Sequence, residues 1–417
     1  MKVRNIDDSI VAVLDLGSEK IRVAIAEIDE NKNIAIIGKG EADSKGGIRS
    51  GVIINIEAVV GSIVEAVEKA EMQAGREISG LFVAVSGGSV ESYNSKGVVA
   101  ISGADKEIRE TDIERVIEAA RAVAIPMDRQ ELHVMPQWFT VDGQEWVGNP
   151  RGMVGTRLEA QIHIITTPIT SIQNVSKCLD RAGIDVYDIV LQNLCAAEAI
   201  LADDEKEIGV LLIDIGAEST NVSLYNNSAP VFNAIYPIGG YLITNDIAAG
   251  LKLPLSVAEK FKLGFGVTSF ESVEPHETVQ IPSIGGRNPK IVERTMLVQI
   301  IKPRVEEIFM MIKHDLIKHG LEKNIAGGVF ITGGTAKLKG IEDVAMEVFD
   351  VSASIAVPKK IDGLWDLINQ PEYSVINGLI RWGYSCVMRD DGVVVKKKRK
   401  DSQGVKGGLR SFIDKFF

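Results

Sequence analysis

The chain has 417 residues, of which 45% are hydrophobic, 25% charged and 6% aromatic. That composition excludes disordered, collagen-like and low-complexity proteins, and the length predicts about two to four units, each with its own core. The net charge of −11 argues against generic nucleic-acid binding, yet the last 22 residues hold eight Lys or Arg and two Asp, a net +6 that leaves −17 on the other 395.

Several chemistries are missing. The cysteines Cys178, Cys195 and Cys386 have neither CxxC nor zinc-ligand spacing, which predicts free thiols in a reducing compartment. The five histidines form no HExxH pair. No apolar run reaches the roughly 18 residues that span a bilayer. The first eight residues lack a signal-peptide core, and no Walker A motif or complete GxGxxG occurs. A phosphate site has to be built by other means.

In chain order, the first element is the apolar run from Ile10 through Asp15, Leu16, Gly17 and Ser18, followed by Ile21 to Ile28. It predicts a buried strand, a tight Asp-x-Gly turn and a returning strand. Leu81 to Ser86 predicts a short buried strand before Gly87-Gly88. Residues 87–166 change character and predict an inserted α+β subdomain. Its strands fall at Gly97 to Ile101, Glu131 to Val141 and Ala160 to Thr166, around a helix at Thr111 to Ala124 with Thr111 as N-cap and Glu114 closing a capping box.

About half a chain after the first hairpin its pattern returns. Val210 to Ile215 carries Asp214, Gly216 makes the turn, and Val222 to Tyr225 returns. Two related α/β halves follow from this repeat. Residues 244–263 predict helices. Glu293 to Lys318 predicts a long helix with an apolar face from Met296 to Leu316, and the Met310-Met311 pair beside it is expected to fill the core. Val329 to Thr332 predicts a strand ending in Gly333-Gly334, with a helix from about Gly340.

Asp15, Asp214 and Gly333-Gly334 thus stand at the carboxyl ends of predicted buried strands, where open α/β sheets bind ligands. One Asp-x-Gly turn alone is only a hairpin turn. Two at equivalent places, with a third glycine-rich strand end, predict a nucleotide clamped between two halves. Glycine backbone approaches phosphate closely, and two facing carboxylates suit a hydrated Mg²⁺.

The order of phosphate hairpin, linking helix, second phosphate hairpin and Gly-Gly loop resembles the actin-like ATPase superfamily. Within it the chain resembles the FtsA family of bacterial cell-division proteins nearly end to end. The stretches that carry the likeness are Leu132 to Gln137, Asn149 to Gly152, Asp246 to Ala248, Ile281 to Arg287, Val329 to Gly334 and Glu372 to Gly378. The resemblance implies an actin-like (ribonuclease H-like) two-lobed fold. The first lobe would be 1–86 with 167–207, and the inserted subdomain 87–166. The second lobe would be 208–243 with 328–390, its inset 244–327, and a basic linker 391–407 would lead to a terminal helix at 408–417.

The likeness also implies site residues. Asp15, Gly17, Ser18 and Lys20 match the first phosphate loop, and Asp214, Gly216 and Ser219 the second. Gln192 matches the residue that orients the attacking water. Gly239 and Gly240 match a turn that approaches the nucleotide. Glu259 and Lys262 match the pair that brackets ribose and adenine, and Gly333, Gly334 and Thr335 the adenosine loop. ATP and Mg²⁺ are the implied cofactors, with Asp15 and Asp214 holding the metal through water. Glu218 departs from the usual glycines and would repel phosphate unless it turns away, and Asn221 replaces a common acid. Binding with at most weak hydrolysis follows, so ATP acts as a switch for cleft closure and assembly.

Lys396 to Lys400 precede a polar, glycine-rich spacer. Beyond it, Leu409, Phe412, Ile413, Phe416 and Phe417 fall at i, i+3, i+4, i+7 and i+8. This predicts an amphipathic anchor for anionic lipid at the cytoplasmic face of the membrane. A single tail binds weakly, and many on one filament bind through avidity. The resemblance further implies binding of the C-terminal peptide of FtsZ to the inset, with Arg294, Lys302 and Arg304 as candidate contacts. It also implies filament formation, and recruitment of later division proteins through 87–166 at the division site. The alternatives are a PilM-type pilus scaffold, an MreB-type filament, or a sugar or acetate kinase. The terminal helix and the Ile281 to Arg287 stretch favour the first reading over all of these.

Overall fold

The computed structural model describes residues 9–86, 88–281 and 289–389. The first lobe opens with β1 (Ile10–Leu16), β2 (Lys20–Ile28), β3 (Ile34–Asp43), the short hairpin β4 (Ile48–Arg49) and β5 (Val52–Ile53), α1 (Ile56–Ala74) and β6 (Gly80–Val85). The inserted unit follows as β7 (Glu91–Ala100), α2 (Glu110–Arg121), β8 (Arg129–Val141), β9 (Gln144–Val147) and β10 (Arg157–Pro168). Then come α3 (Ile169–Ala182), β11 (Asp185–Leu191), α4 (Gln192–Ile200) and α5 (Asp203–Ile208). The second half begins with β12 (Val210–Ile215), β13 (Thr220–Asn226), β14 (Ala229–Tyr236), α6 (Gly240–Leu251) and α7 (Leu255–Phe265). It continues with β15 (Thr278–Ile281), β16 (Lys290–Glu293), α8 (Thr295–Lys318), β17 (Val329–Thr332), α9 (Ile341–Phe349), β18 (Ala353–Ile355), β19 (Asp362–Gly363) and α10 (Ser374–Arg389).

The repeat in the sequence is a repeat in topology. The first sheet runs β11-β6-β1-β2-β3-β19 and the second β18-β17-β12-β13-β14. In each, three antiparallel strands are followed by parallel strands on the side of the first member. β1 and β12 are therefore flanked on both edges and buried along nearly their whole length, which is why both are apolar runs. α4 and α10 lie between the sheets: α4 packs on β12 and β13, and α10 on β1 and α4. Gly378 of α10 permits that contact, since a Cβ there would stand 1.6 Å from the Cys195 carbonyl oxygen of α4.

The inserted unit is an antiparallel sheet, β7-β10-β8-β9, with α2 on β7 and β10 and its own core around Val116, Phe139 and Ile162. Its β7 and β10 also reach the second sheet. Ser92 Oγ donates to the Asn233 carbonyl at 2.8 Å, and the fully buried His163 sits between Asn94 Oδ1 (2.7 Å) and Asn233 Nδ2 (3.0 Å). α6 to α8 and β15–β16 share one apolar core with the second sheet.

Four local expectations change. α2 begins at Glu110 with Arg109 as N-cap, and the Asp112 carboxylate accepts the Arg109 N–H at 3.1 Å, so Thr111 and Glu114 are not the capping pair. α2 also stops at Arg121, where a tight turn follows and Arg121 is held by Glu131. Met310 and Met311 are 54% and 40% exposed, because the buried stripe of α8 runs through Val305, Ile308, Phe309 and Ile312 and passes them by. Residues after about 356 divide between the lobes: Pro371 O accepts from Thr332 Oγ1 of β17 at 3.0 Å, whereas β19 pairs with β3, and Ile376, Leu379, Ile380 and Trp382 of α10 join a core that Val11 and Val13 of β1 share with Val210 and Leu212 of β12. The cysteines Cys178, Cys195 and Cys386 are free.

Candidate functional site

The pairing registers carry both acids to the same place in each sheet. Asp15 is opposite Arg22 at the end of β1, and Asp214 opposite Asn221 at the end of β12. Each strand then turns at glycine: the Gly216 N–H donates to Ser219 O at 2.9 Å, and Gly17 lies so close to Lys20 O that a Cβ would stand 2.6 Å from it. The two turns face one cavity. Asp15, Gly17, Ser18, Lys20, Gln192, Asp214, Gly216, Ser219, Gly333 and Gly334 all line it.

Both acids are buried, at 4% and 7% exposure. Burial pushes Asp15 up to about 6, against the pull of Arg22 and of the Gln192 hydrogen bond. Burial pushes Asp214 up to about 7, and the Asp15 charge adds to it. Two buried carboxylates that hold protons this readily are short of positive charge. A hydrated divalent cation completed by phosphate oxygens fits that deficit. Among the described residues no cluster of three or more His, Cys, Asp or Glu forms an all-protein metal cage.

Gln192 is the first residue of α4. Its Nε2 donates to Asp15 Oδ1 at 2.6 Å, and its Oε1 accepts from Asn221 Nδ2 at 3.5 Å. Ser86 Oγ, in the first lobe, donates to Asn221 Oδ1 at 3.0 Å. The amide therefore bridges the ends of β1 and β13.

The other expected residues form a layer behind the cavity. Gly240 N–H and Thr335 Oγ1 both donate to Gly216 O, each at 3.0 Å, and Gly239 packs against the same carbonyl. Lys262 Nζ donates to Gly240 O and Thr244 Oγ1 at 2.9 Å and pairs with Glu259 at 2.9 Å, while Glu259 also accepts from Thr244. This layer braces the Gly216 turn but is not part of the cavity lining. Gly333 has φ 88 and ψ 173, a conformation open essentially to glycine alone, and a Cβ there would stand 2.2 Å from Asp214 Oδ1.

Glu218 does turn away. Its carboxylate accepts the N–H of Ser50 at 2.9 Å, across the cleft in the β4–β5 turn of the first lobe. Arg22 was missed by the sequence reading. It lines the cavity, its Nε donates to Glu41 at 2.9 Å, and its Nη1 is 3.9 Å from Asp15 Oδ2. The signal was a cation set between the apolar Ile21 and Val23 of β2.

The three candidate partner cations are ion-paired. Arg294 bonds Glu277 (2.8 Å) and Phe265 O (3.0 Å), Lys302 bonds Glu347 on α9 (2.8 Å), and Arg304 is bidentate to Asp246 on α6 (2.6 and 3.1 Å). Lys302 and Arg304 brace α8 on opposite flanks and do not form one patch. Leu409, Phe412, Ile413, Phe416 and Phe417 lie outside the described residues, as does most of the Ile281 to Arg287 stretch. Among the described residues no helix is long and apolar enough to cross a membrane.

Comparison with known proteins settles the family. A family profile described as "SHS2 domain inserted in FTSA" matches residues 87–166, and one described as "Cell division protein FtsA" matches 211–378. Cell division protein FtsA of Borreliella burgdorferi is 42% identical over 404 residues, covering 96% of this chain and 98% of the relative. The chain belongs to the FtsA family. The same-named protein of Pseudomonas aeruginosa is 38% identical over 370 residues, covering 89% and 88%. Among solved structures, the PilM-PilN type IV pilus biogenesis complex aligns with a TM-score of 0.65 at 17% identity, covering 90% of this chain and 98% of that one. MreB5 of Spiroplasma citri bound to ADP aligns at 0.56 and 12% identity, covering 91% and 98%. These likenesses establish the actin-like fold.

Proposed function

We propose that this cell-division protein binds Mg²⁺-ATP between its lobes, polymerises, and tethers the FtsZ ring to the cytoplasmic face of the membrane at the division site. The observation that carries the nucleotide part is the pair of matching hairpins whose buried acids, Asp15 and Asp214, face one cavity. Both acids would hold the metal through water, and Gln192 would orient a water beside them. Gly17 and Gly216 would admit phosphate, and the open face of Gly334 would admit adenosine. The ADP complex of the similarly folded MreB5 supports the same ligand class. Hydrolysis is at most weak, since Asn221 offers no carboxylate at the turn.

The basic segment and the terminal amphipathic pattern would attach the chain to anionic lipid. In the inset, Arg294 holds Phe265 O beside exposed Leu263, Phe265, Phe270, Ile291 and Met296. A cation amid apolar surface suits an acidic, apolar FtsZ tail. Residues 87–166 would meet neighbouring protomers and later division proteins. Pelleting with anionic liposomes tests this reading. The full chain should pellet, more strongly with Mg²⁺-ATP, and a chain lacking 405–417 should remain in the supernatant. Equal pelleting of the truncated chain would refute the anchor.

A further inference from the structure

Leu191, Gln192 and Asn193 join β11 to α4, and the three are held from different sides. Gln192 is held from the cleft, where its Nε2 donates to Asp15 Oδ1 at 2.6 Å. Its two neighbours are held from the inserted unit. The Leu191 N–H donates to Nε2 of His133, on β8, at 3.1 Å. Asn193 Nδ2 donates to Val222 O on β13 at 2.9 Å and to Asn233 Oδ1 on β14 at 3.0 Å.

From Asn233 the chain of bonds runs on into the inserted unit. One tautomer of His163, on β10, satisfies all of it: Nε2 accepts from Asn233 Nδ2 at 3.0 Å, and Nδ1 donates to Asn94 Oδ1 on β7 at 2.7 Å. His133, His163, Asn193 and Asn233 are all buried, so a lost partner is costly and the arrangement has one seating. Burial holds His133 down to about 4 and His163 to about 3, which keeps both rings neutral and both Nε2 atoms acceptors at neutral pH. With the residues on either side fixed in this way, the Gln192 backbone has little freedom. Neither histidine lines the cavity, so each can reach it only through the start of α4.

We propose that His133 and, through Asn233, His163 are positioning residues for Gln192, so that the seating of the inserted unit sets where that amide stands in the nucleotide cleft. The inference rests on the water-orienting role given to Gln192 above and deepens it.

The test is single-turnover hydrolysis of Mg²⁺-ATP, with equilibrium ATP binding measured beside it, in the full chain and its variants. His133→Leu keeps most of the bulk and removes the acceptor, so the rate should fall roughly tenfold while ATP affinity stays within about twofold. His133→Gln again offers an oxygen to the Leu191 N–H and should recover the rate to within about threefold. In a Gln192→Ala background, adding His133→Leu should change the rate by less than about twofold, because the amide it places is gone. Asn193→Ala cuts the other hold and carries the same cycle if His133→Leu does not fold. Equal losses of rate and affinity, or losses that multiply in the double variant, would mean a merely structural role and would overturn the proposal. So would a His133→Gln chain no faster than His133→Leu, a Gln192→Ala chain as fast as the unaltered one, or an unaltered chain that binds ATP without hydrolysing it. An unaltered chain that bound no ATP would instead bring down the nucleotide reading itself, and the proposal with it.

Discussion

Gly333 and Gly334 are neighbours with opposite predicted roles. At Gly333, φ 88 and ψ 173 lie in a region that side chains avoid, and an added methyl would meet Asp214 Oδ1 at 2.2 Å and Ile215 O at 2.6 Å. The backbone term costs about 1–3 kcal/mol and the overpacking about 1–3 kcal/mol more. Gly333→Ala should therefore lose roughly 2–5 kcal/mol. For a unit the size of the second half, that is a fall in Tm of roughly 5–15 °C. Gly334 has nothing within 4 Å of a built Cβ and opens the short helical turn Gly334–Lys337. Gly334→Ala should keep or slightly raise Tm, by about 0.4–1 kcal/mol through the unfolded chain. Because Gly334 lines the cavity, its methyl should instead weaken ATP binding. Thermal melts and titration with a fluorescent ATP analogue separate the two effects. Equal melting of Gly333→Ala and the unaltered protein would refute the strain argument. Unchanged ATP binding by Gly334→Ala would refute its role against the ligand.

The acids give a pH prediction. Asp214 has its folded pKa raised to about 7 from 3.8, so ligand-free stability falls as pH rises from about 4 to 7. Asp214→Asn removes that loss and should raise Tm at pH 8, at roughly 1.4 kcal/mol per unit, with the gain shrinking towards pH 4. A lower Tm than the unaltered chain at pH 8 would contradict it. His163 has the opposite sign. Burial holds it down to about 3, so its contribution is lost as pH falls below about 6.5. In melts at pH 7 and pH 4.5, His163→Gln should lose less Tm between the two than the unaltered chain, and an equal loss would remove His163 from the acid limb. In the inset, Arg294→Glu should weaken binding of the FtsZ tail peptide by roughly tenfold or more in fluorescence anisotropy, and unchanged binding would move the docking site elsewhere.

The duplicated sheet was legible because β1 and β12 are buried on both sides and so must be apolar runs, each stopped by Asp-x-Gly. The acids could be placed at their strand ends for the same reason, since the apolar run of each strand breaks off at its Asp. What escaped depends on distant partners. Glu218 is answered by Ser50, 168 positions away, and nothing local says that its carboxylate turns to the other lobe. Arg22 resembles an ordinary outward cation until pairing sets it opposite Asp15. The packing of α10 between β1 and α4 is written in which core its apolar face enters, and periodicity alone does not reveal that. The methionines at 310 and 311 were misplaced because a wide apolar stripe on α8 hides where burial stops.

The central claim is that nucleotide in this cleft licenses recruitment of FtsZ to the membrane. Co-sedimentation of purified FtsZ with anionic liposomes and the full chain, with and without Mg²⁺-ATP, tests it most directly. FtsZ should pellet with the liposomes when the chain and ATP are present, less without ATP, and not at all with a chain lacking 405–417. FtsZ left in the supernatant while the chain itself coats the liposomes would contradict the account.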